Sequence, residues 1–428
     1  MKIAIIGSGI SGLTIAHHLH HDHDIHVFEK NSYVGGHSNT IDVNEGDTNV
    51  AIDTGFIVLN DWTYPNFEAL LKSLKVEVEN SEMSFSAKCE LSKFEWCGKG
   101  IQGLALNRNN WYRIKSYQIL FDFLRFNKLA KNLITKNNSQ LTLGEFLKQN
   151  NFTKAFTKYY ILPMGAAIWS SSTEDIYDYP AHSFLAFFNN HGLLNIKIRP
   201  QWKTIVGGSR QYVNKLIQPF SGNISLDSTI THIERNNDKV VIHHQSKSPD
   251  MFDHVIFACH SDQALALLIQ PSHDEQKTLE KIRYQYNEAV LHTDEDLMPS
   301  NKKSWCAWNY LLPKQEDTCA KVTYYMNRLQ PLQTKNNYFV SLNLTDRINP
   351  EKIIRTISYQ HPVFDKPAID AQKNLKLLNG KHNTWFCGAY WRNGFHEDGV
   401  WSALTTLKQF KHEVSNADDK QLHLQRAS

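Results

Sequence analysis

Residues 1–30 read MKIAIIGSGISGLTIAHHLHHDHDIHVFEK, and this stretch decides the fold. The apolar run over 3–6 predicts a buried strand that leads through a glycine-rich turn into a helix. Gly7 permits the tight turn, Gly9 leaves room for a pyrophosphate at the helix N-terminus, and Gly12 lets the helix pack closely on the sheet. The spacing therefore predicts a dinucleotide site at the end of the first strand.

A second strand over 25–29 ends in an acidic residue, as this kind of site requires. Glu29 lies at the C-terminal tip of that strand, where a carboxylate accepts hydrogen bonds from a ribose. Together with the glycine-rich turn, this unit supplies the candidate cofactor-binding residues Gly7, Gly9, Ser11, Gly12, Glu29 and Lys30.

Further motifs follow in order along the chain. A paired glycine precedes His37, and Asp53-Thr54-Gly55 comes next. The segment 204–209 is followed by residues 212–217, two short strands over 224–233 and 239–244, and a buried strand over 252–259. A last strand over 384–389 is followed by the start of a last helix at 394–400.

With these motifs the chain resembles the FAD-dependent superfamily of flavin amine oxidases, phytoene desaturases and protoporphyrinogen oxidases, and within it a bacterial branch described as predicted NAD/FAD-binding proteins. The resemblance implies an α/β fold in which a Rossmann-like FAD-binding domain carries a discontinuous inserted α+β substrate domain. It also implies noncovalently bound FAD. The residues that it adds to the candidate cofactor site are Gly36, His37, Asp53, Thr54, Gly55, Ile230, Gly388, Glu397, Gly399 and Val400. His37 stands where the family usually has a basic residue, so the charge that it offers the phosphates depends on pH.

Two domains are expected from the length of 428 residues. FAD contacts at both ends of the chain require the intervening segments to leave the FAD domain and return to it. We therefore assign 1–75, 204–270 and 375–414 to the FAD-binding domain, and 76–203 with 271–374 to the substrate domain. A polar tail follows over 415–428.

The chain departs from the amine oxidases at two places. Those enzymes usually have a lysine near the flavin on the strand aligned with 284–291, where this chain has Asn287, and Glu-Gly-Ala where it has Glu397-Asp398-Gly399. Both differences argue against amine oxidation. Aromatic residues are the candidates for the wall that faces the flavin, first Tyr390 and Trp391, then Trp169, Tyr284, Tyr286, Trp305 and Trp308. The candidate catalytic residues are Tyr390, Trp391 and Asn287.

A flavin accepts a hydride equivalent, so the protein needs only to hold a C–H bond against it and exclude water. The sequence therefore favours an FAD-dependent oxidoreductase that removes a hydride equivalent from a C–H bond of a hydrophobic, lipid- or isoprenoid-like small molecule, as a desaturase does. An external electron acceptor, namely oxygen, a quinone or a carrier, would reoxidise the flavin. Two alternatives stay open: a flavin amine oxidase, and a non-redox protein of this fold such as a sugar mutase or a binding protein.

The bulk properties bear on other partners and sites. The formal charge of +3 argues against nucleic acid as a partner. The six cysteines form no CxxC pair, and no apolar run reaches the roughly 18 residues of a membrane span, so a cytoplasmic protein is expected. The histidines over 17–23 favour a solvated helix end, and no metal site is predicted. The basic segment 111–136 is either a surface helix or a peripheral membrane contact.

Overall fold

The computed structural model describes residues 1–98, 114–136, 140–195, 198–236, 239–314 and 319–427. The strands are β1 (Lys2–Ile6), β2 (Asp24–Phe28), β3 (Thr40–Glu45), β4 (Thr48–Asp53), β5 (Leu59–Asn60), β6 (Val78–Asn80), β7 (Phe85–Cys89), β8 (Phe94–Cys97), β9 (Trp202–Ile205), β10 (Ile224–Ser225), β11 (Ile230–Arg235), β12 (Val240–His244), β13 (Asp250–Phe252), β14 (His254–Phe257), β15 (Tyr284–His292), β16 (Trp308–Leu312), β17 (Val322–Tyr325), β18 (Phe339–Leu342), β19 (Ile353–Pro362) and β20 (Thr384–Phe386).

The α-helices are α1 (Ile10–Leu19), α2 (Pro65–Ser73), α3 (Ile114–Lys136), α4 (Leu143–Gln149), α5 (Lys154–Phe156), α6 (Leu162–Trp169), α7 (Thr173–Tyr177), α8 (Ala181–Asn190), α9 (Arg210–Ile217), α10 (Ser261–Leu267), α11 (His273–Leu279), α12 (Met326–Leu329), α13 (Lys366–Gln372), α14 (Leu375–Leu378) and α15 (His396–Ala427). One π-helical turn, Thr157–Ile161, joins α5 to α6. The last helix therefore includes nearly all of the polar tail over 415–428.

The apolar run at the start of the chain forms the centre of a five-stranded parallel sheet in the order β10-β2-β1-β14-β20. Successive side chains of β1 point to opposite faces. Ile3 and Ile5 join a hydrophobic cluster with α1, α9 and α15, whereas Ala4 and Ile6 join a second cluster on the other face. A parallel sheet covered on both faces confirms the predicted α/β, Rossmann-like fold.

A second sheet has seven strands in the order β19-β15-β18-β17-β16-β7-β8. Its neighbouring strands are antiparallel except for the parallel pair β16 and β7. Helices α3 to α8 contribute to the core beside it, which contains many buried aromatic rings. All strands of this sheet lie within 76–203 and 271–374, and all strands of the parallel sheet lie within 1–75, 204–270 and 375–414.

Three predicted elements differ in detail. The single strand predicted over 224–233 is two strands, because β10 pairs with β2 in the parallel sheet while β11 pairs with β12 in a hairpin. The strand predicted over 252–259 is divided between β13 and β14, which belong to different sheets. Helix α3 is described from Ile114, so residues 111–113 of the predicted basic segment lie outside the described residues. None of the helices in the described ranges combines the length with the apolar composition that a membrane-spanning helix needs.

Candidate active site

Residues from both sheets line a large cavity of about 2110 Å³. Pockets for one small ligand usually measure roughly 300–1,000 Å³, so this cavity has room for a dinucleotide and a second molecule. One end lies at the glycine-rich turn after β1, and the other end reaches Phe123 of α3. The two ends differ in chemistry.

At the first end, the turn after β1 leaves the start of α1 open to the cavity. Gly9 precedes the helix in the N-cap position, and no side chain caps the N–H groups behind it. A Cβ built on Gly9 would meet no atom within 4 Å. Gly7 has φ of +108°, which favours glycine, and the N–H of Gly7 donates to the Phe28 carbonyl at 2.8 Å. The uncapped helix start and the open space above Gly9 together form a cradle that fits a diphosphate.

Glu29 closes this end of the cavity with a buried carboxylate. One of its oxygens accepts from the N–H and the hydroxyl of Ser8, at 3.0 and 2.7 Å, and the other accepts from the N–H of Asn31 at 2.9 Å. A carboxylate offers about four acceptor positions, so one position stays open toward the cavity. This geometry leaves room for one further hydrogen bond, as from a ribose hydroxyl. Lys30 and Ile230 line the cavity beside Glu29.

The paired glycine lies next to the turn after β1. Gly36 has φ of +59°, and a Cβ there would lie 3.3 Å from the Cα of Gly9. Gly55 is held closer still, because its Cβ would lie 2.3 Å from the His37 carbonyl oxygen. Thr54 hydrogen-bonds to the Tyr359 hydroxyl at 2.9 Å. These contacts bring three distant segments of the chain to one wall of the cavity.

His37 faces this wall without a charge at neutral pH. Its ring stacks on Tyr359 at 4.7 Å, and burial lowers the pKa of His37 to about 4, with His260 adding to the effect. Its Nε2 atom is buried and has no hydrogen-bond partner. The imidazole can therefore serve as a hydrogen-bonding group for a phosphate or a ribityl chain, and phosphate charge would raise its pKa.

The second end of the cavity is aromatic and aliphatic. Its lining includes Phe85, Trp96, Phe123, Tyr160, Met164, Ile168, Trp169, Phe187, Trp308, Tyr324 and Leu342. Tyr284 and Tyr390 also line the cavity, with ring centroids 6.5 Å apart, and Tyr284 stacks on His260 at 4.3 Å. Burial raises the pKa of both tyrosines, so their hydroxyls stay neutral.

The chain matches the model of the flavin containing amine oxidoreductase family over residues 10–328, about three quarters of its length. It belongs to this family. FAD is accordingly its cofactor, and the predicted superfamily and enzyme class, an FAD-dependent oxidoreductase, are confirmed. A search among curated protein sequences found no match.

Solved structures of similar fold include a fatty acid isomerase from P. acnes that produces CLA, with a TM-score of 0.69 and 17% identity over 95% of this chain and 98% of that one. Cyclohexylamine oxidase from Brevibacterium oxydans aligns with a TM-score of 0.65 and 13% identity, covering 96% and 99% of the two chains. Putrescine oxidase bound to putrescine aligns with a TM-score of 0.67 and 10% identity, covering 96% of this chain and 99% of that one. At these identities the likeness shows the fold alone.

In this flavin oxidoreductase, twelve of the predicted site residues line the cavity, namely Gly7, Gly9, Ser11, Glu29, Lys30, Gly36, His37, Thr54, Gly55, Ile230, Gly388 and Tyr390. The residues that lie behind its wall are Gly12, Asp53, Asn287, Trp391, Glu397, Gly399 and Val400. Those behind the wall have identifiable structural contacts.

Gly12, Gly399 and Val400 belong to the packing of α1. A Cβ on Gly12 would lie 2.0 Å from the Gly7 carbonyl oxygen, and one on Gly399 would lie 2.7 Å from Ile10. Val400 is buried in the cluster that α1 shares with α15. The Ser11 hydroxyl donates to the Gly399 carbonyl at 3.0 Å. These contacts fix the start of α1, whose residue Ser11 lines the cavity.

Asp53 and Glu397 each organise a neighbouring element. Asp53 accepts from the hydroxyl of Thr40 at 2.6 Å and from the N–H and hydroxyl of Ser209 at 2.9 and 2.7 Å. Burial raises the pKa of Asp53 to about 6 despite these bonds. Glu397 accepts from the N–H groups of Asn66 and Phe67 at the start of α2, at 3.1 and 2.9 Å.

Some of the aromatic residues predicted to face the flavin line the cavity, and others do not. Trp169, Tyr284 and Trp308 line the cavity with Tyr390. Trp391 is buried in a hydrophobic cluster of the parallel sheet, and Trp305 lies in a separate cluster. Tyr286 is exposed.

Asn287 does not line the cavity, but its side-chain amide contacts His361, a cavity residue that the sequence analysis did not identify. The N–H of Glu288 donates to Asn343 Oδ1 at 3.0 Å, and Asn343 Nδ2 donates to the Ala320 carbonyl at 2.9 Å, which fixes the orientation of this amide. Asn343 Nδ2 also donates to Asn287 Oδ1 at 2.8 Å, so the Nδ2 of Asn287 is the atom 3.1 Å from His361 Nδ1.

His361 lines the cavity, and this chain of amides sets its tautomer. Because Asn287 donates to Nδ1, the hydrogen of the neutral ring lies on Nε2. Burial, with His37 nearby, lowers the pKa of His361 to about 3. The available sequence signal was the alternation of Tyr359 and His361, which places both side chains on one face of β19.

Proposed function

We propose that this FAD-dependent oxidoreductase removes a hydride equivalent from a C–H bond of a lipid-like substrate with an acidic head group. The observation that carries the proposal is the charge of the cavity wall at its aromatic end. That wall combines a long apolar surface with the guanidinium of Arg199, whose positive charge would attract an anion and repel the ammonium group of an amine substrate.

The acidic side chains in the described lining are Glu29 and Glu82. Glu29 lies at the opposite end, and Glu82 accepts two short hydrogen bonds from Arg328, at 2.7 and 2.6 Å. Arg199 also lines the cavity, and within the described part of the chain no hydrogen bond or ion pair engages it. The wall therefore favours a carboxylate or phosphate over an ammonium group.

FAD held noncovalently at the glycine-rich end would accept the hydride equivalent from one substrate carbon and, as the C=C bond forms, the proton from the neighbouring carbon, which would balance the step as FAD to FADH2. The aromatic wall excludes water from the reacting carbon. His361 offers a neutral N–H donor to the cavity, and Asn287 acts as its positioning residue. Oxygen, a quinone or a carrier is the external electron acceptor.

One structural neighbour is named for a fatty acid and two for amines. The decisive test therefore compares three substrates that have the same hydrocarbon chain and different head groups. FAD-loaded protein is mixed anaerobically with oleic acid, oleyl alcohol or oleylamine, and bleaching of the flavin absorbance is followed. We expect the acid to bleach the flavin and the amine not to bleach it. The apparent affinity for the alcohol should be at least tenfold weaker than that for the acid, because the alcohol cannot form the charged hydrogen bond with Arg199. Arg199→Gln should remove the preference for the acid. Bleaching by the amine alone would favour amine oxidation, and no bleaching by any of them would contradict the proposal.

Helix α3 supports delivery of such a substrate from a membrane surface. Its residues Ile114, Tyr117, Phe121 and Leu124 follow each other at three- and four-residue spacing and are exposed by 72, 54, 63 and 50%. Lys128 and Lys131 are exposed further along the same face. Leu124 also lines the cavity, as do Leu120 and Phe123. We propose that this face contacts anionic lipid beside the cavity.

Sedimentation with vesicles tests the contact. Binding to phosphatidylglycerol vesicles should exceed binding to phosphatidylcholine vesicles and fall with added salt. Phe121→Glu should reduce binding at least tenfold, whereas Leu377→Glu should not, because Leu377 is similarly exposed at 60% but lies on α14. If Phe121→Glu and Leu377→Glu bound the vesicles equally well, the proposed lipid contact of α3 would be wrong.

A further inference from the structure

We propose that the β11–β12 hairpin carries a binding site for one divalent transition-metal ion, best matched by Zn²⁺. The ligands are His232, Glu234 and His243. In the described ranges this is the one group of three or more histidine, cysteine or acidic side chains whose ligand atoms all lie within 4.8 Å of one another. It lies outside the cavity and outside the histidine cluster over 17–23.

The hairpin register places the three side chains on one face. His232 and Glu234 are two residues apart in β11, and successive residues of a strand alternate between faces. His243 in β12 is the partner of His232 across the antiparallel pair, and the two rings stack with centroids 4.1 Å apart. The cluster therefore follows from strand pairing and does not depend on a loop.

The distances are close to those that a tetrahedral ion requires. Nε2 of His243 and Nε2 of His232 lie 3.5 and 3.8 Å from the same oxygen of Glu234. A tetrahedral Zn²⁺ with bonds of about 2.0–2.1 Å separates its ligand atoms by roughly 3.3–3.4 Å. The Nε2 atom of His243 is buried and makes no hydrogen bond. All three ligand atoms lie within 4.8 Å of one another, and rotation of the two rings out of their stacked arrangement would turn their Nε2 atoms toward one ion.

Thr231 orients the His232 ring through a hydrogen bond from Nδ1, the ring nitrogen that would not bind the metal. Its hydroxyl donates to the His243 carbonyl at 3.1 Å, so its oxygen accepts from His232 Nδ1, 3.2 Å away. His232 is then the tautomer with its lone pair on Nε2, the atom that faces Glu234. The pairing register shifts between Ile230 and His232, which identifies Thr231 as the extra residue of a β-bulge. Metal-bound histidines usually have such a partner on their other nitrogen.

The ligand set favours zinc over magnesium or calcium, because two of its three donors are imidazoles. Water would occupy the fourth position. The bulge directly follows Ile230, which lines the cofactor end of the cavity with Thr229. A bound ion would hold β11 and β12 together beside that end.

Calorimetric titration with Zn²⁺ tests the site on FAD-loaded protein that carries no polyhistidine tag. Wild type should bind one ion per chain. The double variant His232→Asn/His243→Asn should lose this binding while its flavin spectrum and melting temperature show that it is folded. The matched control His17→Asn/His21→Asn removes two histidines from α1 and its end, and it should bind as wild type does. Absence of binding by wild type, or loss in the control alone, would overturn the proposal.

A second pair of variants tests the orienting hydroxyl. Thr231→Val should weaken Zn²⁺ binding about tenfold, since removal of such a partner usually costs 10- to 100-fold. Thr231→Ser keeps the hydroxyl and should restore the wild-type affinity. The ¹⁵N shifts of His232 should show the Nδ1-protonated tautomer in wild type and in the serine variant. Equal affinity of the valine variant and wild type would overturn the assigned role of Thr231.

Discussion

Gly9 and Gly12 lie three residues apart in the turn after β1, yet each is glycine for a different reason. A Cβ on Gly12 would collide with backbone, whereas a Cβ on Gly9 would project into open space above the start of α1. We therefore expect Gly9→Val to fold but to be purified without FAD, because the side chain fills the diphosphate cradle. Gly12→Val should not fold stably. The ratio of flavin to protein and the circular dichroism melting curve measure the two effects. Stoichiometric FAD in folded Gly9→Val would show that the cradle is misplaced.

The tautomer of His361 is a second prediction at the scale of single residues. In wild type, Asn287 Nδ2 lies beside His361 Nδ1. Asn287→Asp replaces that donor with an acceptor, so the ring should carry hydrogen on Nδ1 and its pKa should rise. ¹⁵N NMR of histidine-labelled protein reads both changes without any turnover. Asn287→Leu, which supplies neither donor nor acceptor, is the control for packing. Identical His361 signals in wild type and Asn287→Asp would contradict the amide chain.

At the scale of elements, one helix caps another. Helix α2 begins with Pro65, and no side chain of its own N-cap residue bonds its first N–H groups. Glu397, at the start of α15, accepts from two of them. Glu397→Ala should therefore lower the free energy of unfolding by about 1–2 kcal/mol, as loss of a good cap does. Urea unfolding measures this change. Glu397→Gln, which keeps one acceptor oxygen, should lose less, and equal losses in the two variants would count against capping.

The elements also show which inferences a sequence supports. The β1–α1–β2 unit is local, so its glycines and Glu29 could be placed from spacing alone. Asn287 and His361 meet because β15 pairs with β19, 74 residues away, and no local pattern contains that pairing. Tyr390 and Trp391 are adjacent, but the 3₁₀ turn Ala389–Trp391 replaces strand alternation. That turn sends one ring to the cavity and the other into the core.

At the scale of the whole molecule, buried imidazoles decide how stability changes with pH. Burial lowers the pKa of His37, His191, His260 and His292 to about 4 and that of His361 to about 3. Between those values and 6.5 the unfolded chain binds protons that the folded chain excludes, so stability rises with pH. Asp53 and Asp398 act oppositely, because burial raises the pKa of both to about 6 and the folded state retains their protons. In FAD-loaded protein phosphate charge would raise the pKa of His37, but the other four histidines, together with His396, whose pKa burial also lowers, outweigh the two aspartates, so the net slope is positive.

The prediction is a lower urea midpoint for FAD-loaded protein at about pH 5 than at about pH 7, and His292 offers the cleanest test of its cause. His292 lies outside the cavity wall, its Nδ1 accepts from the N–H of Asp294 at 3.0 Å, and its Nε2 lies 2.8 Å from the Ser341 hydroxyl. A proton on Nδ1 would break the hydrogen bond from the Asp294 N–H, inside the seven-stranded sheet.

His292→Gln removes one titrating group. The difference in the free energy of unfolding between pH 7 and pH 5 should therefore shrink, by up to about 1.4 kcal/mol for each pH unit. His273→Gln, which replaces an exposed histidine at the start of α11, is the control for the substitution itself. If His292→Gln kept the full wild-type slope, buried imidazoles would not be the source of the acid sensitivity.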